Sequence, residues 1–287
     1  MIKKPRMVQI SEIVQESKDV KTFTFNINSI LNNYSIQYQD PTPGEFLMVW
    51  VPGIDEIPMS LSGFNNNKDW SITVKKVGEC TETLFNLEKS DLIGIRGPFG
   101  NGFQILEFNS NNQLNIVVGG GIGMAPLIPL ISELIKLKIK IIVIEGVKSK
   151  EEIIFKKYLE NYLIENETFY ISTDDGSYGY KGFATDLFNS IIKKEIEKGN
   201  KINQVNSCGP EQMMYELFHI CEKLNITFQG SLERMMRCGF GMCGLCVLDP
   251  SGIRVCREGP VLDSKILRTC TDFGKYNRDF SGKKNTI

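Results

Sequence analysis

The chain has 287 residues, 33 Lys and Arg against 34 Asp and Glu, one His, and a formal net charge of −1. That near-balance argues against nucleic acid or an anionic membrane surface as a partner. A composition that is 41% hydrophobic and 23% charged is that of a globular protein of two domains, or two and a small third. The N-terminus MIKKPRMVQISEIVQESKDV lacks an apolar h-region, so no signal peptide is expected. The longest uncharged run, residues 110–132, contains GGGIGMAP and two prolines and makes a poor membrane span. The expected location is cytoplasmic.

Through residue 107 the chain alternates in the manner of strands. VQISEIVQ, KTFTFNI, EFLMVWV, PMSLSGF, WSITVKKV and LIGIRGPFG are separated by turn formers at Pro41-Thr42-Pro43-Gly44, Pro52-Gly53, Asn65-Asn66-Asn67 and Gly97-Pro98. Six short strands without a long helical pattern predict a small barrel. Residues 28–40 read as a polar loop. Two stretches could carry chemistry, each a weak signal alone. PMSLS (58–62) is a strand with two hydroxyls. GECTETL (78–84) places a glycine before a helix start, with Thr81 as N-cap, and could receive a phosphate.

From 108 to 230 strands alternate with helices, the pattern of a parallel doubly wound sheet. NIVVGGG is a buried strand, followed by APLIPLISELIKLK with an apolar stripe at Leu127, Leu130, Ile131, Leu134 and Leu137. Then come strand KIIVIEGV, helix SKEEIIFKKYLENYL with Ser149 and Glu152 as a capping box, strand TFYIST, helix TDLFNSIIKKEIEKG, strand QVNSCGP and helix EQMMYELFHICEKL, with Pro210 at its N-terminal edge. Ligands bind at the carboxyl ends of such strands. Three turns fall there: GGGIGMAPL (119–127), whose glycines would let a pyrophosphate approach backbone amides; STDDGSYG (172–179), with hydroxyls and carboxylates for a ribose; and SCGPEQM (207–213), with Cys208 where a ring could sit. Each could also be only a tight strand–helix turn. His219, Cys221 and Cys80 read as packing or surface residues.

The last distinctive stretch, CGFGMCGLCVLDPSGIRVC, has four cysteines at C-x4-C-x2-C-x9-C. The first three spacings are those of a plant-type [2Fe-2S] loop. Gly239, Gly241 and Gly244 permit positive φ and leave amides free to approach sulfur. A structural zinc site would show two C-x2-C pairs or nearby His. A disulfide framework suits a secreted chain. A redox C-x-x-C wants a strand before it and a helix after it. The spacing favours the cluster.

These features together resemble the ferredoxin reductase superfamily and, more narrowly, the archaeal form of the electron transfer subunits of type B dihydroorotate dehydrogenase. The resemblance runs over essentially the whole chain. It is carried by GPFGNGF (97–103), GGGIGMAPL, DDGSYGYKG (174–182), SCGPEQMM, LERMMRCGFGMCGLC (232–246) and VCREGPV (255–261), with FGKYNRDFSGKK (273–284) matching the archaeal branch. It implies an FAD-binding β-barrel domain at 1–107, an NAD-binding α/β domain at 108–230 and a [2Fe-2S] domain with tail at 231–287. It implies that Pro58, Met59 and Ser60 contact FAD, with Lys75 and the turn of Gly78, Cys80 and Thr81 near its ribityl chain and pyrophosphate. Gly119, Gly120, Gly121, Gly123 and Pro126 would line the NAD site with Cys208, Gly209 and Pro210. Cys238, Cys243, Cys246 and Cys256 would hold the cluster. The family often has Arg before the Pro-x-Ser segment; this chain has Ile57, which leaves the flavin phosphates to lysine or amides.

The resemblance further implies a relay. Electrons from FMN in a catalytic partner subunit would pass through the cluster and FAD to NAD⁺ in pyrimidine biosynthesis, within a heterotetramer of two relay and two catalytic subunits. No general base for dihydroorotate oxidation is apparent in this chain, so the partner would supply it. STDDGS offers no basic residue for a 2′-phosphate, which favours NAD over NADP. The cluster would face the partner through Met235, Met236, Phe240 and Met242. Two rivals stand beside this reading. One is a related relay subunit of the ferredoxin–NADP oxidoreductase or sulfide dehydrogenase kind, where the first ligand is often Asp. The other is a non-catalytic iron–sulfur sensor, which leaves the strand-end turns without a role.

Overall fold

A computed structural model of the chain describes residues 2–34, 40–106, 113–163 and 168–287. The expected boundary at 107/108 lies outside the described residues. Strands β1 (Ile2–Ser17), β2 (Val20–Asn26), β3 (Phe46–Val51), β4 (Asp55–Phe64), β5 (Asp69–Lys75) and β6 (Leu92–Phe99) close an antiparallel barrel in the order β1-β2-β5-β4-β3-β6. The six-stranded expectation holds. Period-2 alternation turns Phe23, Phe25, Trp70, Ile72, Val74 and Leu61 inward, all fully buried. Each such side chain contributes about 1.5–3 kcal/mol by leaving water.

Part of the expected 28–40 loop is helical: α1 spans Asn28–Tyr34. The Asn26 carboxamide oxygen accepts the Asn28 amide at 3.0 Å in an Asx turn, and Ile27 and Ile30 join the barrel core, so that turn and burial overcame the polar composition. Helix α2 (Glu79–Phe85) is capped by Gly78, not Thr81. Thr81 sits one turn in, where its hydroxyl accepts the Val77 and Gly78 amides, each at 3.0 Å.

The second lobe contains β7 (Gln113–Gly120), a 3-10 turn over Gly121–Met124, α3 (Leu127–Lys136), β8 (Ile141–Val147), α4 (Lys156–Tyr162), β9 (Thr168–Thr173), β10 (Tyr180–Lys181), α5 (Ala184–Glu197), β11 (Lys201–Cys208), α6 (Glu211–Lys223) and β12 (Thr227–Ser231). The strands from β10 to β12 are parallel, in the order β10-β9-β8-β7-β11-β12, and β15 (Val261–Asp263) adds antiparallel to β12. Strands β10, β12 and β15 are not apparent from sequence pattern because each is short, and β12 carries Gln229 and Gly230.

Two helical expectations are corrected. The Ser149–Glu152 capping box does not form: Lys150–Glu152 is a 3-10 turn with no side-chain cap, and α4 begins only at Lys156. Competing partners explain it. The Glu145 carboxylate takes the Ile154 amide at 2.9 Å, and Glu152 pairs with Lys75 of the barrel at 3.2 Å. On α3 the stripe is buried through Leu134, while Leu137, at the C-cap, is exposed.

The C-terminal segment carries hairpin β13 (Val247–Leu248) and β14 (Ile253–Arg254), then β15, α7 (Ser264–Leu267) and hairpin β16 (Tyr276–Arg278) with β17 (Lys284–Thr286). Its core residues Cys246, Leu248, Val255 and Cys256 belong to the same buried cluster as the α5 and α6 face of the sheet. Among the described residues no helix is long and apolar enough to cross a membrane.

Candidate functional site at the junction of three segments

Parallel register brings the three strand-end turns to one sheet edge. Cys208 lies beside Gly119, Gly120 beside Gly146, and Gly146 beside Ser172. In the 119–126 turn most of the glycine requirement is packing. A Cβ on Gly123 would fall 2.4 Å from the Cys208 carbonyl oxygen, one on Gly120 2.4 Å from Pro210, one on Gly209 2.7 Å from the Gly120 nitrogen and one on Gly119 2.7 Å from Met124. Gly121, at φ +51°, has open space at that point. Pro126 caps α3 and Pro210 caps α6. The Cys208 thiol is pushed up to about 12 by burial, reinforced by the charge of Glu233, so at neutral pH it is a neutral, apolar wall.

Two of the hydroxyls expected to meet a ribose, those of Ser172 and Thr173, are turned inward. Ser172 is buried, and Thr173 exchanges hydrogen bonds with Tyr178, donating at 2.7 Å and accepting at 3.0 Å. Asp174 and Asp175 remain exposed. Asp175 accepts from the Ser177 hydroxyl and amide, which hold its carboxyl below the usual range.

Across from this edge lies the barrel. Strand β4 packs near α3, and β5 near the 121–124 turn. Pro58, Met59 and Ser60 are half-exposed on β4, in register with Met48, Leu47 and Phe46 of β3, and Met59 packs against the barrel core. Ser62 is committed internally, accepting from Thr73 at 2.8 Å. Lys75 is held by Glu152 of the other lobe. Open space surrounds Gly78. Cys80 is half-buried, its thiol raised by burial and by the charges of Asp55 and Glu79.

The cysteine loop folds around its own sulfurs. The Met242 and Cys243 amides approach Cys238 Sγ at 3.3 and 3.5 Å, the Gly241 amide approaches Cys256 Sγ at 3.1 Å, and the Cys256 amide approaches Cys246 Sγ at 3.4 Å. Gly239 and Gly244, at φ +78° and +73°, supply the left-handed turns this requires. Burial opposes ionisation of Cys238, but amides of Cys243, Phe240 and Met242 outweigh it and draw the thiol down to about 6. Its hydrogen bond with Cys256 brings Cys246 down to about 7, and the same contact, with burial, pushes Cys256 up. Among the described residues no group of three or more His, Cys, Asp or Glu is set out to hold a single metal ion. Amides directed at sulfur and left-handed glycines suit thiolates carrying an iron–sulfur cluster.

Burial divides the expected rim. Phe240 and Met242 are exposed at 46% and 78%, Met235 is half-buried, and Met236 is buried at 7%. Met236 packs into the core shared with the sheet. His219 is exposed on α6 against the edge of Tyr215, and Cys221 is fully buried, in line with packing roles.

Sequence reasoning missed the charged groups that join the segments. Arg96 of β6 forks onto Glu56 of β4, with Nε to Oε1 at 2.5 Å and Nη2 to Oε2 at 2.6 Å. The same guanidinium donates to the Cys238 carbonyl at 2.7 Å. Arg234, three residues beyond Ser231, makes a buried two-point ion pair with Glu211 at the start of α6 and also donates to the Glu233 carbonyl at 2.8 Å. Glu211 in turn accepts the Gly274 amide at 2.8 Å. The one available signal was an arginine inside the apolar run LIGIRGPF.

A closed antiparallel barrel facing the carboxyl edge of a parallel sheet, with a cysteine loop at the junction, defines a ferredoxin-reductase-like oxidoreductase with an iron–sulfur module. Residues 117–217 match the oxidoreductase NAD-binding domain family, and residues 233–268 match the iron-sulfur cluster binding domain of dihydroorotate dehydrogenase B. The fold is similar to that in the structure of an NADH-dependent reduced ferredoxin-NADP oxidoreductase, with TM-score 0.76 and 24% identity over 91% of this chain and 89% of that one. It is also similar to the CS-b5R domains of human Ncb5or, with TM-score 0.63 and 20% identity over 78% and 67%.

Full-length relatives are more specific. A probable dihydroorotate dehydrogenase B (NAD(+)) electron transfer subunit of Methanocella arvoryzae is 39% identical over 99% of this chain and 100% of its own. Its counterpart in Methanocaldococcus jannaschii is 39% identical over 99% of both chains, and that in Pyrococcus horikoshii 40% over 95% of both. The chain belongs to this family of dihydroorotate dehydrogenase B electron transfer subunits.

Proposed function

We propose that this chain relays electrons between a catalytic dihydroorotate dehydrogenase subunit and NAD⁺. The observation that carries the reading is the cysteine loop itself: amides approach three of its four sulfurs, and Arg96 of the barrel holds its first cysteine by the carbonyl. Cys238, Cys243, Cys246 and Cys256 hold a [2Fe-2S] cluster. Pro58, Met59 and Ser60, with the turn of Gly78, Cys80 and Thr81, hold FAD. Lys75 reaches the flavin phosphates by exchanging its contact with Glu152, which meets the need left by Ile57. Gly121 offers the open backbone of the NAD turn; Gly119, Gly120, Gly123, Pro126, Gly209 and Pro210 keep that turn in shape, and Cys208 supplies an apolar surface for the nicotinamide. The working units are 1–107, 108–230 and 231–287.

FAD, when bound, is the group able to exchange a hydride with nicotinamide and single electrons with a cluster. The residues of this chain bind and orient the two nucleotides across the β4–α3 junction. Its amides stabilise negative charge on the sulfurs. The partner is an FMN-bearing catalytic subunit that docks over Phe240 and Met242, two copies of each chain forming the assembly. Substrate oxidation belongs to that partner.

Protein purified anaerobically should show both flavin and iron–sulfur absorption; absence of both overturns the reading. Cys243→Ser should abolish the iron–sulfur signal and partner-linked electron transfer while NADH still reduces the flavin.

A further inference from the structure

The guanidinium of Arg96 occupies a position that neither strand pattern nor cysteine spacing explains. It is 8% exposed, so its charge must be met locally. Two of its donors form a fork with the Glu56 carboxylate. A third reaches the carbonyl of Cys238 at 2.7 Å, and Nη2 lies 3.4 Å from the carbonyl of Arg237. Phe99 and Phe240 flank it, with centroids 5.4 and 5.9 Å from its central carbon. Directly beside it, Gly239 lies so close to β3 that a Cβ would fall 2.7 Å from Met48. Glu56 is two residues before Pro58, on the strand assigned to the flavin. A single planar cation therefore joins that strand to the backbone of the first cysteine of the cluster loop.

We propose that Arg96 is a positioning residue for electron transfer: with Glu56 it clamps the Cys238 backbone to the flavin-bearing strand and sets the separation and electrostatics of the two redox sites. The proposal rests on the assignment of Cys238 to a cluster. Geometry explains why arginine is needed. A lysine carries the same charge on one compact donor and cannot fork onto Glu56 while also holding a carbonyl. Charge matters as well. Arg96 and Glu56 are neutral as a pair, so removing one leaves an uncompensated charge beside the loop. A negative remainder disfavours an added electron, and a positive remainder favours it.

The test uses the full chain loaded with FAD and cluster, with NADH as reductant. Stopped-flow absorbance separates flavin reduction from bleaching of the cluster, and the cluster's midpoint potential and EPR spectrum are recorded alongside. In Arg96→Met/Glu56→Gln, which removes the clamp without leaving a buried charge, flavin reduction should persist while cluster reduction slows several-fold. Arg96→Lys should slow it similarly despite its charge. Glu56→Gln alone, the mildest change, should raise the midpoint potential and alter the EPR line shape. Normal cluster reduction with unchanged EPR in both Arg96→Lys and Glu56→Gln overturns the proposal, even if the double variant fails to fold. Loss of cluster from a double variant that still binds FAD supports it. A wild-type protein without a cluster overturns instead the assignment on which it rests.

Discussion

In the nucleotide turn, Gly123 has ordinary backbone angles, and glycine is needed there because the Cys208 backbone of the neighbouring turn lies where a Cβ would go. In the cluster loop, Gly244 has open space around it, and glycine is needed because its φ is +73°. Gly239 has both constraints, with φ of +78° and Met48 in the way. One turn is thus shaped by what packs against it, the other by how far its own backbone must bend. The Cys238 thiol and the Glu145 carboxyl also differ in what surrounds them. Amides pull the Cys238 thiol down to about 6. In the nucleotide lobe burial dominates and pushes Glu145 up to about 8, against the pull of the Ile154 amide. Around Cys238 the loop supplies several amide donors; the sheet interior supplies Glu145 with one.

The largest effect should come from Gly123→Ala. The added methyl meets backbone that cannot step aside, so we expect a loss of about 5 kcal/mol or failure of the nucleotide lobe to fold, among the largest single-residue effects. Thermal unfolding and NADH binding measure it; a near-native melting temperature would show that the two turns are not in tight contact.

Next comes Glu145. Its folded pKa is raised above the usual 4.5, so the fold keeps the proton after the unfolded chain has released it. Stability is full below about pH 4.5 and declines as pH rises toward 8, by roughly 1.4 kcal/mol per pH unit and roughly 5 kcal/mol in all. Denaturant unfolding of the wild type and Glu145→Gln across that range should diverge, with the variant lacking this part of the slope. Parallel curves would mean that Glu145 is ionised and solvated.

Gly239→Ala should cost about 3 kcal/mol, combining backbone strain with a clash that the Met48 side chain can partly relieve. Gly244→Ala, with strain only, should cost about 1 kcal/mol. Unfolding of the cluster-loaded protein ranks the pair. Equal effects would remove the distinction between bending and packing within the loop.

Much of the site was legible because it is local. Four cysteines within nineteen residues, a glycine run between strand and helix, and alternating strands announce themselves at short range. The failures share a cause. Ser149 and Glu152 have the spacing of a capping box, but Glu152 finds Lys75 seventy-seven residues away in sequence. The hydroxyls of Ser172 and Thr173 belong to the right turn but point into the lobe. Met236 belongs to an apolar cluster beside Cys238, yet strand and helix packing takes it into the core while Phe240 and Met242 stay outside.

By itself the sequence determined the barrel, the parallel sheet and the four-cysteine loop, since period, turn chemistry and ligand spacing are properties of neighbouring residues. Tertiary structure alone decided which glycines are open and which are packed, and which polar groups are consumed internally. It also decided that Arg96, Glu56 and Cys238 meet, although 142 residues separate Arg96 from Cys238. A charge is stable in that interior only where a distant segment brings its partner, and no local pattern encodes that meeting.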